Sequence, residues 1–243
     1  MSYIKINNIS VVGVDHISRA QSVKEMFVKK KNILPKKISI LNNLSFEAKN
    51  GDRVGMLGLN GSGKTSLLKV IVGTYAPQTG TTDIDGKIVS SLGMGAEFMT
   101  ELTGRDNIKL AFAFRNNISE YNKDVEEKII EFSELGEYID KPMINYSSGM
   151  MARFAFSSVI FQRADILLLD EVFATGDANF ISKAKNFMTK LWDSVDIGIF
   201  VSHDQSQIRD ICKTCYIISE GTVYDYGKTP EMIDKYNNEI LSK

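Results

Sequence analysis

The chain has 243 residues, of which 43% are hydrophobic, so it is long enough to bury the core of one large α/β domain. Its formal net charge of −1 gives no sign of a protein that binds nucleic acid through overall positive charge. No apolar run reaches the ~18–20 residues that a membrane-spanning helix needs, and the N-terminus lacks a secretion signal, so we expect a cytosolic protein.

The N-terminal part of the chain carries a strand pattern. Residues 1–50 and roughly 75–92 alternate apolar and polar side chains, as in ISILNNLSF, which predicts an antiparallel β-subdomain. Within it, residues 24–37 (KEMFVKKKNILPKK) carry six lysines against one glutamate. This run is consistent with a solvated loop, or with contact to an anionic membrane surface, where each nearby cation contributes ~1 kcal/mol.

A glycine-rich loop follows a short apolar stretch at residues 52–58 and precedes helically spaced leucines. A strand, such a loop and a helix in this order predict a phosphate-binding loop, because the loop N–H groups and the helix N-terminus point at the anion. Lys64 would reach the terminal phosphates, and the Thr65 hydroxyl would bind Mg²⁺. The predicted nucleotide-binding residues are Gly58, Leu59, Asn60, Gly61, Ser62, Gly63, Lys64, Thr65 and Ser66.

Residues from about 98 to 162 read as a helical insertion. TGRDNIKLAFAF begins it, with Thr103 as a possible N-cap, and Val125, Ile129 and Phe132 follow at helical spacing. Near its end, residues 145–156 (NYSSGMMARFAF) place serines and a glycine directly before a helix. That arrangement suits a second anion site at a helix N-terminus, or an ordinary helix cap.

Two later apolar stretches end in side chains that suit phosphate chemistry. ADILLLDE ends in Asp170, which suits the Mg²⁺ shell, and Glu171, which suits orienting or deprotonating a water. IFVSHD delivers His203, which could hydrogen-bond a γ-phosphate and that water. Because ligand groups gather at the carboxyl ends of parallel strands, we expect these side chains to lie near the glycine loop.

The C-terminal part contains a C-x-x-C pair, a hairpin and a helix. For Cys212 and Cys215 we expect ordinary packing rather than redox or metal chemistry, because zinc would need two further ligands. YIISEGTVYDYG predicts a hairpin that turns at Glu220-Gly221, and TPEMIDKYNNEILSK a helix with Thr229 as its cap.

Taken together, these motifs resemble those of the ATP-binding-cassette (ABC) ATPases, over nearly the whole chain. Gly58–Thr65 matches the phosphate loop of that family, Asp170-Glu171 its metal and catalytic carboxylates, and His203 its switch histidine. Residues 146–150 (YSSGM) stand where the signature, Leu-Ser-Gly-Gly-Gln in most members, belongs, and Gly176-Asp177 matches the D-loop. The resemblance implies one nucleotide-binding domain of α/β class, with a P-loop ABC ATPase fold: a mixed-sheet core, an antiparallel β-subdomain and an inserted α-helical subdomain.

In such ATPases two cassettes face head to tail, and ATP lies between the phosphate loop of one copy and the signature of the other. The resemblance therefore implies a homodimer that binds ATP and Mg²⁺. In that dimer Ser147 and Gly149 would act on the nucleotide held by the partner copy, and Ser148 and Asp177 would also belong to the nucleotide site.

Three stretches look like those of the ATPase subunits that export cell-surface polysaccharides, which are the O-antigen, capsule and teichoic-acid exporters of bacteria. They are YSSGM, ELTGRDNI at 101–108 and EVFATGDANF at 171–180. In that branch the cassette pairs with two copies of an integral membrane permease, and the cargo is a lipid-linked polysaccharide. The resemblance implies a peripheral protein on the cytoplasmic face of the inner membrane. Since the chain ends at Lys243, we expect no C-terminal carbohydrate-binding domain.

Two positions depart from the family pattern. No glutamine precedes Leu102-Thr103 where the Q-loop would place one, and Glu97 is the candidate substitute, a carboxylate near Mg²⁺ and the membrane partner. His16 is the candidate for the adenine-stacking aromatic residue, or else a loop histidine without that role.

Two other functions share the catalytic motifs. A soluble cassette ATPase that acts in translation or DNA repair usually has two cassettes in one chain or a long coiled coil, neither of which this sequence contains. A cassette for another cargo, such as a small lipid or drug, shares every catalytic residue. Only the branch-like signature speaks against that alternative.

Overall fold

Strands from the whole length of the chain build two β-sheets. The computed structural model describes residues 1–14, 37–92, 98–115, 117–170 and 178–242. The strands in these ranges are β1 (Tyr3–Val14), β2 (Lys37–Lys49), β3 (Arg53–Leu57), β4 (Thr79–Asp85), β5 (Ile88–Ser90), β6 (Ile166–Asp170), β7 (Ile197–Val201), β8 (Thr214–Ser219) and β9 (Thr222–Lys228).

The smaller sheet is antiparallel, as the alternating N-terminal pattern predicts. Its order is β2-β1-β4, so β1 pairs with a strand on either side. Ile4 and Ile6 on β1 are completely buried and face the core, because alternate side chains of a strand share a face. Ile9, which regular alternation would place on the other face, is also completely buried, because the strand is irregular between Ile6 and Ile9. Register shifts between β1 and β2 accompany a left-handed backbone at Asn8 and Asn43, a conformation that asparagine tolerates.

The larger sheet has the order β5-β6-β7-β3-β8-β9, in which all pairs are parallel except β8 with β9. The expectation that residues 75–92 belong entirely to the antiparallel subdomain is wrong at its end. Ile88–Ser90 pairs in parallel with β6 and extends the larger sheet. A three-residue strand with both faces covered has too little alternation to reveal its partner.

Helices cover both faces of the larger sheet. The α-helices are α1 (Lys64–Ile71), α2 (Gly104–Phe114), α3 (Lys123–Ser133), α4 (Ser148–Ile160), α5 (Ala178–Ser194), α6 (Gln205–Ile211) and α7 (Thr229–Tyr236). On β6, Ile166 and Leu168 pack in one core cluster with α1, and Leu167 and Leu169 in another with α5. Both faces of β6 are therefore apolar, as a buried parallel strand requires. Within the described ranges, none of the helices has the length and apolar character needed to cross a membrane.

Helices α2, α3 and α4 lie in the segment expected to be a helical insertion and share a core of their own. Its buried residues include Ile108, Ile129 and Phe154. Thr103 caps α2, and its hydroxyl accepts the Asp106 N–H at 3.1 Å. Asn107 is fully buried, and its side chain pairs with both the N–H (2.8 Å) and the carbonyl (2.9 Å) of Met99.

The C-terminal hairpin turns where the sequence predicts. Glu220 and Gly221 lie between β8 and β9 with φ of +50° and +76°, which is the geometry of a tight type I′ turn. The expectation that Thr229 caps the final helix is wrong, because Lys228 occupies the N-cap position. The Thr229 hydroxyl donates instead to the Cys212 carbonyl at 2.8 Å.

Both cysteines are buried in the core cluster that contains α5. Burial raises the pKa of the Cys212 thiol, and the neighbouring Cys215 adds to this effect. Burial also raises the pKa of Cys215. A raised pKa disfavours the thiolate, which is the reactive form of cysteine.

Candidate nucleotide site

The glycine-rich loop connects β3 to α1 and ends in a left-handed residue. Gly61 and Gly63 have φ of +78° and +112°, which glycine adopts without steric cost. Gly63 is the N-cap of α1, so the positive N-terminal end of this helix begins directly after the loop. A β-carbon on Gly58 would lie 2.3 Å from the Ile218 carbonyl oxygen, so the loop packs backbone to backbone against β8.

The loop carries a buried ammonium group and a buried hydroxyl. The Lys64 side chain folds back, and its Nζ donates to the Gly58 carbonyl at 2.7 Å and to the Leu59 carbonyl at 3.0 Å. The Ser62 Oγ is buried and has no hydrogen-bond partner among the described residues. A buried polar group without a partner is costly, and a phosphate oxygen would satisfy it.

The carboxylate at the end of β6 meets the first turn of α1. The Thr65 hydroxyl donates to Asp170 Oδ2 at 3.3 Å. The backbone N–H of Asp170 donates to the Ser91 Oγ at 2.8 Å, which anchors the end of the strand. A hydroxyl and a carboxylate are the hard oxygen donors that Mg²⁺ prefers, so this pair fits that ion.

A cavity of about 580 Å³ joins the three predicted elements. They approach it from β3, β6 and β7, which are neighbours in the larger sheet, with His203 coming two residues after β7. Its lining residues are Ile40, Asn60, Gly61, Ser62, Gly63, Lys64, Thr65, Ser66, Asp170, Val201 and His203. The structure therefore brings together the loop, the first carboxylate and the histidine that the sequence assigns to one site.

Two of the lining residues were not expected from the sequence. Ile40 lies on β2 and Val201 ends β7, and both add an apolar wall to a polar cavity. The alternation in β2 predicts a strand at Ile40 but carries no information on which loop that strand faces.

The serines of the signature-like segment lie at a helix N-terminus. Ser147 is the N-cap of α4, and its Oγ accepts the Met150 N–H at 3.2 Å. Ser148 and Gly149 form the first turn of α4, and both serines are exposed. Among the described residues that line the cavity, none comes from this segment.

The residue before these serines is tied to the rest of the helical segment. The Tyr146 phenol donates to the Tyr138 carbonyl at 2.8 Å, and its ring packs edge-on against Phe154. Burial raises the pKa of this phenol.

Four predicted site residues, His16, Glu97, Glu171 and Asp177, lie outside the described residues. Most of the lysine run at 24–37 lies outside them as well.

Comparison with known proteins gives a family and a set of relatives. The family model described as ABC transporter matches residues 41–174. The chain is 39% identical over 203 residues to the teichoic acids export ATP-binding protein TagH of Lactococcus lactis subsp. lactis (strain IL1403), an alignment that covers 82% of this chain and 43% of that protein. It is 36% identical over 189 residues to the O-antigen export system ATP-binding protein RfbE of Yersinia enterocolitica, with coverage of 77% and 79%. It thus spans less than half of the first relative.

A solved structure has the same fold. The dimeric post-hydrolysis state of the ATP-binding cassette MJ0796 bound to ADP and Pi has a TM-score of 0.69 at 19% identity. The superposition covers 93% of this chain and 98% of that one. At this identity the likeness establishes the fold, and it agrees with the α/β class and mixed-sheet architecture expected from the sequence.

Proposed function

Since this chain belongs to the ABC transporter family, we propose that it is the ATP-hydrolysing subunit of an exporter that moves a lipid-linked surface polysaccharide across the cytoplasmic membrane. The observation that carries the ATPase part is the single cavity at which the loop, Asp170 and His203 meet. In this view the protein works at the cytoplasmic face of the inner membrane, held there by its membrane partner.

ATP binding would use groups that the loop and the start of α1 present. The Lys64 ammonium exchanges its bonds to the loop carbonyls for bonds to the terminal phosphates. The Ser62 hydroxyl, the loop N–H groups and the N-terminus of α1 hold the other phosphate oxygens. Ile40 supplies an apolar contact in the wall of the cavity. We assign adenine stacking to His16.

Hydrolysis would depend on positioned charges and one base. Thr65 and Asp170 would hold Mg²⁺, which when bound neutralises charge on the phosphate oxygens. Glu171, the residue after Asp170, orients the attacking water and takes its proton. His203 would hydrogen-bond the γ-phosphate, and we assign Glu97 to the metal site. Catalysis of this kind is largely positioning and electrostatic stabilisation.

A second copy of the chain would complete the site. Ser147, Ser148 and Gly149 are presented at the exposed N-terminus of α4, away from the cavity of their own chain. In a head-to-tail homodimer they would bind the nucleotide of the partner copy, and Asp177 would lie at the same interface. ATP would then favour the closed dimer, because only that state uses both halves of the site.

The export part rests on the relatives and on one surface. The names of two relatives contain teichoic acids and O-antigen, which are both surface polymers. Beside the signature-like segment, Met99, Leu102, Tyr138 and Ile144 are exposed apolar side chains, Ile144 at 69%. These side chains come from residues 99–102 and 138–144. Backbone hydrogen bonds, such as that from Met143 N to the Leu102 carbonyl, join the two segments into one patch. We assign this patch to a cytoplasmic helix of the permease, because the patch adjoins the signature-like segment: Ile144 lies three residues before Ser147, the N-cap of α4.

Two experiments test the two parts. Purified protein should hydrolyse ATP only with Mg²⁺, and no hydrolysis by the purified protein or its complex with the permease would contradict the ATPase assignment. For the membrane contact, Ile144→Glu should abolish co-purification with the permease. Ile118→Glu is the matched control, because Ile118 is also exposed, at 48%, but follows the far end of α2. Equal recovery of the permease with both variants would contradict the assignment of the patch.

A further inference from the structure

We propose that the Glu220–Gly221 turn of the β8–β9 hairpin braces the phosphate loop in its nucleotide-binding conformation, with Gly221 as the positioning residue. The inference rests on the proposed ATP binding and adds a residue that is more than 150 positions away from the loop in sequence. We call this turn and its contacts the turn brace.

Both backbone polar groups of Gly221 are used in the turn brace. Its N–H donates to the Ser62 carbonyl in the phosphate loop at 2.9 Å. Its carbonyl accepts the Asn42 N–H from β2, also at 2.9 Å. Gly221 is buried, so these bonds are shielded from water. One residue thus connects the loop to the antiparallel sheet.

The bond to Ser62 fixes the direction of a neighbouring donor. A peptide unit is planar, and in a trans peptide the carbonyl and the following N–H point to opposite sides. The described residues contain no cis peptide bond, so the Ser62 carbonyl, held by Gly221, turns the Gly63 N–H away from the hairpin. Gly63 lines the cavity, and this N–H belongs to the helix N-terminus that would bind a phosphate.

The surroundings leave no room for a side chain at Gly221. A β-carbon on Gly221 would lie 2.5 Å from the Ile40 carbonyl oxygen, and one on Gly63 would lie 3.4 Å from the Gly221 Cα. Backbone therefore packs directly on backbone at these positions. A loop with three glycines is entropically costly to order, and the turn brace orders it before the nucleotide arrives, which is preorganisation.

Gly221→Ala tests the turn brace, with Gly51→Ala as the matched control. Gly51 has φ of +91°, close to the +76° of Gly221, but a β-carbon there meets nothing within 4 Å. Both variants carry the strain of a left-handed alanine, and only Gly221→Ala displaces the turn from Ser62. Calorimetric titration should show ATP affinity lowered at least about tenfold in Gly221→Ala, and at most about twofold in Gly51→Ala.

Tripolyphosphate separates a phosphate effect from an effect on the base. It carries phosphates without adenosine, so its affinity for Gly221→Ala should fall by the same factor as that of ATP. In hydrolysis, KM for ATP should rise while kcat changes little, because a donor that binds ground and transition states alike affects KM. Reduced ATP affinity with unchanged tripolyphosphate affinity would overturn the proposal.

A second variant keeps the test decisive if Gly221→Ala does not fold. Two glycines inserted between the exposed Glu220 and the buried Gly221 lengthen the turn on its solvent side, where hairpins tolerate insertion, and release the contact with Ser62. This variant should fold and lose ATP and tripolyphosphate affinity together. Wild-type affinity in either folded variant would overturn the turn brace alone. Wild-type protein that binds no ATP would overturn the proposed function, and the turn brace with it.

Discussion

Removal of the Lys64 ammonium should lower both the affinity for ATP and the stability of the protein without ATP. Lys64 is 7% exposed and donates to the Gly58 and Leu59 carbonyls. In the complex, Lys64→Ala loses a charge-assisted hydrogen bond to phosphate and the attraction of a full positive charge, and these outweigh the bonds lost in the free loop by at least about 1.4 kcal/mol, or about tenfold in Kd. In the free protein, the buried Gly58 carbonyl loses its donor, which should lower the free energy of unfolding by about 1–3 kcal/mol.

Calorimetric titration with ATP and urea denaturation without ATP measure the two effects separately. Lys69→Ala is the matched control, because Lys69 lies on the same helix, with its ammonium 5.1 Å from the centre of the Tyr75 ring, and does not line the cavity. ATP affinity of Lys64→Ala within twofold of wild type would refute the reasoning. A loss of affinity of the same size in Lys69→Ala would refute it as well.

Three further predictions follow from contacts and motifs elsewhere in the chain. Asp170→Asn should abolish Mg²⁺-dependent ATP hydrolysis, measured as phosphate release during Mg²⁺ titration after EDTA treatment. Retained Mg²⁺-dependent turnover would contradict the metal assignment. Glu171→Gln should bind ATP without hydrolysing it and elute as a dimer on gel filtration with ATP, so a persistent monomer would count against the head-to-tail dimer. Asn107→Leu should leave the Met99 N–H and carbonyl unpaired and lower the free energy of unfolding in urea by about 2–4 kcal/mol, whereas an unchanged midpoint would show that water replaces the side chain.

Short-range patterns explain why much of the fold could be predicted. The strand–loop–helix around Lys64, the cap at Thr103 and the turn at Glu220 depend on neighbours a few residues away, and the sequence shows those neighbours directly. The meeting of Asp170 and His203 at one cavity follows from a general property of parallel sheets, in which carboxyl ends lie together.

Contacts between distant segments explain what could not be predicted. Ile88–Ser90 joins the larger sheet through β6, nearly 80 residues later, and no local pattern encodes that pairing. The same holds for Ile40 at the cavity and for the hydrogen bond between Gly221 and Ser62. The prediction that Thr229 caps the final helix failed for a different reason. A threonine before a proline resembles an N-cap, but the Thr229 hydroxyl donates to the Cys212 carbonyl instead.

The central claim is tested most directly by measuring surface polysaccharide in cells whose only copy of this protein carries Lys64→Ala or Glu171→Gln. Total polymer is measured in the same cells, and both quantities are compared with those of cells that contain the wild-type protein. The proposed export function predicts a bare surface with polymer accumulating inside, which places the defect after synthesis. Normal surface polymer in cells whose variant is confirmed to be unable to hydrolyse ATP would contradict it.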